Sequence, residues 1–415
     1  MHHEHPTDSD ATLTDRAIVA RIWPLLGACA LGLVPFTVYS NFLVEITRDS
    51  GHHATLMGSL RGVGGVAALL VGLTCAPLLD RISRRMATIV SLVLLASACL
   101  VGIIGSPWAW VIFCLFVGAG TSILNPAASA MAADRFRDEA TSGRAATQVS
   151  SVMTLTAVLS APLLAVPAAW WGWRGDLVAT SLLCLALAWS LKSGIGSTLE
   201  DRSPRQEGLH TGYVQSLKIA VGLPCIPALL TASMLRTAAF MGQLAYLAVL
   251  YNERFQVGPG LFSLVWTLSG LAFFLGNWFG GVALRKISNS VMTAWIGAIA
   301  AALGTAAIMW LFGTHHVASA LGATTLLGAS HAVLAATVTT LLVRQSGSHR
   351  GTVLGLNGAG QSLGVCIGAS IAGLGLALSG WNGAGIALGA VTACAAVAAA
   401  RAAWHLRAVR EGANP

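Results

Sequence analysis

The chain has 415 residues, 55% of them hydrophobic and only 10% Asp, Glu, Lys or Arg, with a formal net charge of +8. One soluble core cannot bury that much apolar surface, and so few charges cannot solvate its outside, so an all-α integral membrane protein is expected and a soluble globular enzyme is excluded. The positive balance is accounted for by membrane orientation, which leaves nucleic-acid binding little to explain.

Crossing the hydrocarbon as helix takes about 20 apolar residues, because every backbone N–H and C=O must find its partner within the segment. In chain order, residues 1–21 form a polar N-terminal tail that starts with the His-rich run His2 to His5. This tail lacks the basic start, short apolar core and small-residue cleavage site of a removable signal peptide. Spans follow at 22–45, 55–79, 86–105, 108–132, 145–169 and 175–193. Residues 194–217, with Glu200, Asp201, Arg202, Arg205 and Glu207, read as a solvated cytoplasmic linker. Six more spans come at 226–251, 260–284, 289–312, 317–342, 352–378 and 382–403, and residues 404–415 form a second polar tail. The expected architecture is twelve transmembrane helices in two six-helix pseudo-repeats, residues 22–193 and 218–403.

With the N-terminus inside, roughly nineteen of the basic residues fall in cytoplasmic tails and loops and about three outside, Arg48, Arg174 and Arg254. Both termini are therefore expected in the cytoplasm. Trp108, Trp110, Trp170, Trp171, Trp173, Trp310 and Trp381 gather near the outer boundary, where amphipathic rings sit at the headgroup layer. The eight cysteines are scattered through apolar segments without a CxxC pair, so neither a disulfide nor a metal is inferred. His52, His53, His315 and His316 fall in loops and read as solvated residues, with metal binding or pH sensing as the competing reading.

Asp80, Arg81, Arg84 and Arg85 crowd into six positions directly after an apolar run. The stretch GLTCAPLLDRISRR resembles the loop signature G-x-x-x-D-R/K-x-G-R/K-R/K of the major facilitator superfamily, with Ala76 and Ser83 in place of its two glycines. A second copy, GNWFGGVALRKIS from Gly276, sets Arg285 opposite Asp80 and Lys286 opposite Arg81. FVGAGTSILNPAASAMAADRF (Phe116 to Phe136), GWRGDL at 172–177 and AFMGQLAYLAVLYNERF (Ala239 to Phe255) are similar to stretches of the twelve-helix drug/proton antiporter branch. The resemblance implies parallel six-helix repeats around a midplane cavity that opens alternately to each side, with the Asp80 cluster as a gating loop latching the halves. That branch carries an arginine four residues before the glycine equivalent to Gly118, and here the position is Cys114; its fifth-helix Gly-Pro pair is represented by Ala161-Pro162.

Ionisable groups inside the hydrocarbon are costly unless they face a cavity or a partner, so each is a functional candidate. Arg236 on helix seven and His331 near the middle of helix ten lie at depth, and no Asp or Glu is expected at comparable depth. Arg236 is read as contacting an anionic or strongly hydrogen-bonding part of the substrate, against pairing with backbone carbonyls. His331 is read as binding or titrating with the substrate, against packing within the bundle. Glu45 and Arg61 lie at similar depth near the outer face, and a structural pair is favoured over proton coupling at Glu45. Tyr39, Asn41, Asn125, Gln243, Tyr246, Asn357 and Gln361 offer uncharged hydrogen bonds to the cavity, with Phe36, Phe240, Trp266 and Phe273 as its apolar wall.

The function expected is a monomeric secondary transporter in a bacterial cytoplasmic (inner) membrane, exporting a small organic molecule or drug in exchange for protons. The alternative is an importer or facilitator of a small organic anion. No phosphate loop, metal-ligand cluster or nucleophile with its base is present, so neither an enzyme nor a cofactor is expected.

Overall fold

The computed structural model describes residues 13–79, 82–136, 138–193, 218–219, 221–223 and 225–411. Its helices are α1 (Asp15–Asn41), α2 (Leu43–Ser50), α3 (Ala54–Leu79), α4 (Arg84–Gly102), α5 (Pro107–Ala133), α6 (Glu139–Lys192), α7 (Ile226–Phe255), α8 (Pro259–Lys286), α9 (Ser290–Gly313), α10 (Val317–Gln345) and α11 (Arg350–Arg410). No strand occurs among the described residues. Several starts are set by local chemistry. The side chains of Thr14, Ser83, Ser106, Asp138 and Asn289 each accept a backbone N–H of the following first turn, which satisfies donors that have no partner inside the helix.

Ten of the described helices are long and apolar enough to cross a membrane. Two of them are each bent into two legs: α6 at Gly172, φ 63°, and α11 at Ser379 and Gly380, φ −144° and 62°. The described helices therefore make the twelve crossings expected, with two of the loops reduced to a single bend. Helix one differs from expectation: it starts at Asp15 and ends at Asn41, and the chain turns at Phe42 into the short α2. Glu45 consequently sits on a separate eight-residue helix. The linker 194–217, the His-rich start, Asp80 and Arg81 lie outside the described residues.

The first bundle, α1 to α6, closes on a core of Tyr39, Trp110, Phe113, Leu124, Trp173 and Leu177. The second, α7 to α11, packs around Phe240, Tyr251, Phe262, Ile308 and Leu388, with a further core at Ile226, Ala301, Leu341 and Ala402. Around the outside, large apolar side chains such as Leu163, Trp189, Leu378 and Val397 are exposed, the pattern of a surface that meets lipid. Trp108, Trp170 and Trp171 are exposed as a boundary ring requires, but Trp110 and Trp173 are not. Their rings lie 5.4 Å apart, tilted against each other within the first bundle, so these two serve its core.

Of the charged loop, Arg84 and Arg85 are described. The side chain of Arg84 pairs with Asp134 and donates to the carbonyl of Ala130 at 3.3 Å. Arg85 donates to the carbonyls of Leu191 and Lys192 at 2.8 and 2.9 Å, capping the end of α6, where the helix dipole favours a cation. Both arginines thus tie helices of one bundle together, and among the described contacts neither latches the two halves.

Candidate functional site

The two bundles meet along a seam between α3 and α11, which run antiparallel. On the side of the membrane opposite the chain ends the seam is closed. A Cβ built on Gly65 would lie 2.6 Å from the carbonyl oxygen of Ser362, and one on Gly62 would lie 3.1 Å from that of Cys366, so the backbones touch, leaving no room for a side chain at Gly65 and little at Gly62. Tyr246 of α7 crosses the seam there: its ring fills the space left by Gly58, and its hydroxyl meets the carbonyls of Thr55 and Ala369 at 3.0 and 3.4 Å. Toward the chain ends the same face of α11 continues through Gly358, Gly355 and Gly351, and these are exposed with no neighbour within 4 Å. The seam is shut on one side and open on the other.

Two arginines lie buried near the seam, Arg61 within its closed stretch between Gly58 and Gly62, and Arg236 on α7 ten residues before Tyr246. Arg61 on α3 and Arg236 on α7 are each 7% exposed. The guanidinium of Arg61 donates to the hydroxyl of Ser40, reaches the Met241 sulfur of the other bundle at 3.7 Å, and lies over the ring of Phe36 at 5.5 Å. It also stands beside Cys114, so α3 brings a positive charge next to the position at which the resembling branch has its arginine. Arg236 donates to the hydroxyl of Thr237 at 2.9 Å. The Nε of each arginine has no partner, and among the described residues no carboxylate pairs with either.

The expected Glu45–Arg61 pair is therefore not formed. Phe42 breaks helix one and carries Glu45 away, and its charged neighbours are Arg48 and Asp49. Tyr39 is also turned away from the seam: its hydroxyl donates to the carbonyl of Met57, and its ring packs on Trp110 and Phe113 at 5.0 and 5.8 Å. Gln361 reaches the hydroxyl of Ser233, one turn from Arg236, at 3.2 Å. The side-chain oxygens of Asn41, Asn125 and Asn357 and both amide atoms of Gln243 are buried without a partner. Such groups cost free energy unless something satisfies them, and a polar ligand does so.

His331 is fully buried, stacked on Phe240 at 5.5 Å, and Phe240 stacks in turn on Phe273 at 5.1 Å. Its ring faces Gly304 of α9, and neither ring nitrogen has a partner. Among the site residues sequence reasoning missed Ser40 and Met241, which carry no pattern of their own. It also missed a buried carboxylate: Asp176, in the first turn of the second leg of α6, is 0% exposed and neither oxygen is bonded. Its position one residue inside an expected span was the available signal. Asp176 belongs to the first bundle, where the adjoining Leu177 packs against Gly102 of α4.

A family model described as Major Facilitator Superfamily matches residues 25–356 and 229–415. Multidrug resistance protein D of Escherichia coli (strain K12) is 26% identical over 288 residues, spanning 68% of this chain and 69% of its own. A bacterial homologue of the human lysosomal transporter Spinster, in an inward-facing and unoccupied conformation, superposes with a TM-score of 0.75 at 13% identity, covering 97% of this chain and 100% of that one. A mutant of the nucleoside transporter NupG superposes at 0.73 with 11% identity, over 91% of this chain and 98% of its own. The two kinked repeats, the central seam and the family match agree: this chain belongs to the Major Facilitator Superfamily of membrane transporters.

Proposed function

We infer that the protein exports a small organic molecule across a bacterial cytoplasmic membrane by alternating access, in exchange for protons, with both termini in the cytoplasm. The single observation that carries this reading is the asymmetric seam, closed at Tyr246, Gly58, Gly62 and Gly65 and open along Gly351, Gly355 and Gly358, with unsatisfied polar groups buried on the helices around it. In that orientation the open side faces the cytoplasm, the side from which an exporter loads. Arg236, Gln243, Asn357 and Gln361 from the second bundle and Arg61, Asn41 and Asn125 from the first are the groups that contact substrate. The similarity to a multidrug resistance protein supports the outward direction.

A second reading, uptake or facilitated passage of a small organic anion, is favoured by two buried arginines with no paired carboxylate. Inverted membrane vesicles, energised to be acidic inside, separate the two. Release of lumenal protons on adding a compound, absent from vesicles without the protein, supports proton exchange. Counterflow of a labelled organic anion with no proton movement supports the facilitator.

A further inference from the structure

We propose that Arg61 and Arg236 act as a pair, holding a substrate with two anionic groups between the bundles, so that the transported molecule is a short organic dianion such as a dicarboxylate. This rests on the transport reading above and adds the class of its substrate.

The argument starts from what each guanidinium lacks. A buried cation is tolerated when it is paired and hydrogen-bonded. Arg61 has one hydroxyl, one aromatic face and one thioether, and Arg236 has one hydroxyl. A guanidinium carries five N–H donors in a fork that matches a carboxylate, so both side chains are far from satisfied. Among the described residues no carboxylate is available nearby: Asp176 sits in the first bundle beside Leu177, which packs on α4, and Glu45 sits on α2 beside Arg48 and Asp49.

Their placement makes them a pair. Arg61 belongs to the first bundle but touches Met241 of α7, and Arg236 is on that same helix five residues earlier, about 7.5 Å of helical rise away. One anionic group on each arginine therefore spans the seam. Gln243, two residues beyond Met241 on the same helix, has two buried amide atoms without partners and could add a hydrogen bond to a bound ligand.

The contact to be exchanged is weak. A thioether sulfur is a poor acceptor, whereas a guanidinium–carboxylate bond is charge-assisted. Arrival of an anion at Arg61 replaces the Met241 contact, one of the links that hold the bundles together on the closed side. Ligand binding and loosening of the seam would then be one event, which is how a substrate biases an alternating-access equilibrium.

The test uses the full-length protein purified in detergent, with thermal-shift and calorimetric titration of succinate, glutarate and adipate. Matching monoacids, the dimethyl ester of the best diacid, inorganic phosphate and chloride serve as comparisons. The expected result is that one diacid binds at least tenfold tighter than its monoacid while the diester does not bind. Arg61→Gln and Arg236→Gln should each bring the diacid down to the monoacid level, and Arg61→Lys and Arg236→Lys, which keep the charge, should fall between. Elution as a single species guards against misfolding, and the Lys variants carry the test if a Gln variant does not fold.

Equal binding of diacid and monoacid, equal binding of the diester, a full response to phosphate or chloride alone, or no response to any of the series overturns the proposal. Flux of a neutral or cationic compound in proteoliposomes, unaffected in the arginine variants, overturns it while leaving the transport reading intact. Tight diacid binding without flux of any compound leaves the site standing and removes the transport reading.

Discussion

The hydroxyl of Tyr246, on α7 of the second bundle, lies 3.0 Å from the backbone carbonyl of Thr55, on α3 of the first. The bond joins the two halves on the closed side of the seam, and the ring that carries it is seated on Gly58. A methyl group at Gly58 would fall within that ring, so the contact and the glycine depend on each other.

Gly58→Ala is accordingly expected to keep the halves apart on this side and shift the population toward the state that is open there. Spin labels on the exposed ends of α2 and α9 should report a longer separation than in wild type. Tyr246→Ala removes the ring that the methyl would strike, so adding it to Gly58→Ala should cancel the steric part of the effect. An unchanged distance distribution in Gly58→Ala would show that the ring moves aside at little cost and does not hold the closure.

Arg236 and His331 should separate by what they affect. His331 is enclosed by Phe240 and Gly304, so His331→Ala empties a packed site and is expected to destabilise the protein by about 2–4 kcal/mol, as buried large-to-small changes do. Arg236→Ala leaves the tight packing of α7 against α11 in place and is expected to lower transport at least tenfold at unchanged membrane levels. Melting temperature and initial transport rate, measured on the same preparations, check both. Loss of transport in a His331→Ala protein that melts as wild type does would give His331 a direct part in transport.

How much of this was legible depends on the quantity asked for. Span number and length come from apolar run length, which the hydrocarbon thickness fixes independently of tertiary contacts, so the twelve crossings could be counted from composition alone. Azimuth around a helix cannot be read that way. Glu45 and Arg61 share a depth, yet the break at Phe42 turns one away while the other faces Met241. Trp110 and Trp173 lie at boundary height, but their rings point into the first bundle. Arg61 was legible as a buried charge, whereas its partners Ser40 and Met241 appear only once three helices are packed together.

Asp176 tests whether an unsatisfied carboxyl in the first bundle is a stability cost. With both oxygens buried and unbonded, its side chain has lost its hydration without gaining a partner. Asp176→Asn, which keeps the shape and removes the charge, is expected to raise the melting temperature by roughly 2–4 °C and to leave diacid binding as in wild type. A lowered melting temperature would mean that the carboxylate is engaged in the folded protein.

Glu45 offers a pH test, because α2 is too short to span and its carboxyl lies outside the membrane-crossing segments. Burial raises its pKa above the ordinary value of 4.5; its own backbone and Arg48 pull the other way, and Asp49 reinforces the rise. The folded state then holds its proton to higher pH than the unfolded chain does, so folding stability falls as pH climbs from the ordinary value through the raised one. Glu45→Gln removes that penalty. The variant should melt above wild type at pH 8, with the gap closing as pH is lowered toward 4, and melting curves of both proteins across this range measure it. A gap that is constant with pH would place Glu45 in water. Proton-driven transport by Glu45→Gln with the pH dependence of wild type would remove this carboxyl as the coupling group and leave the seam itself as the place to look for it.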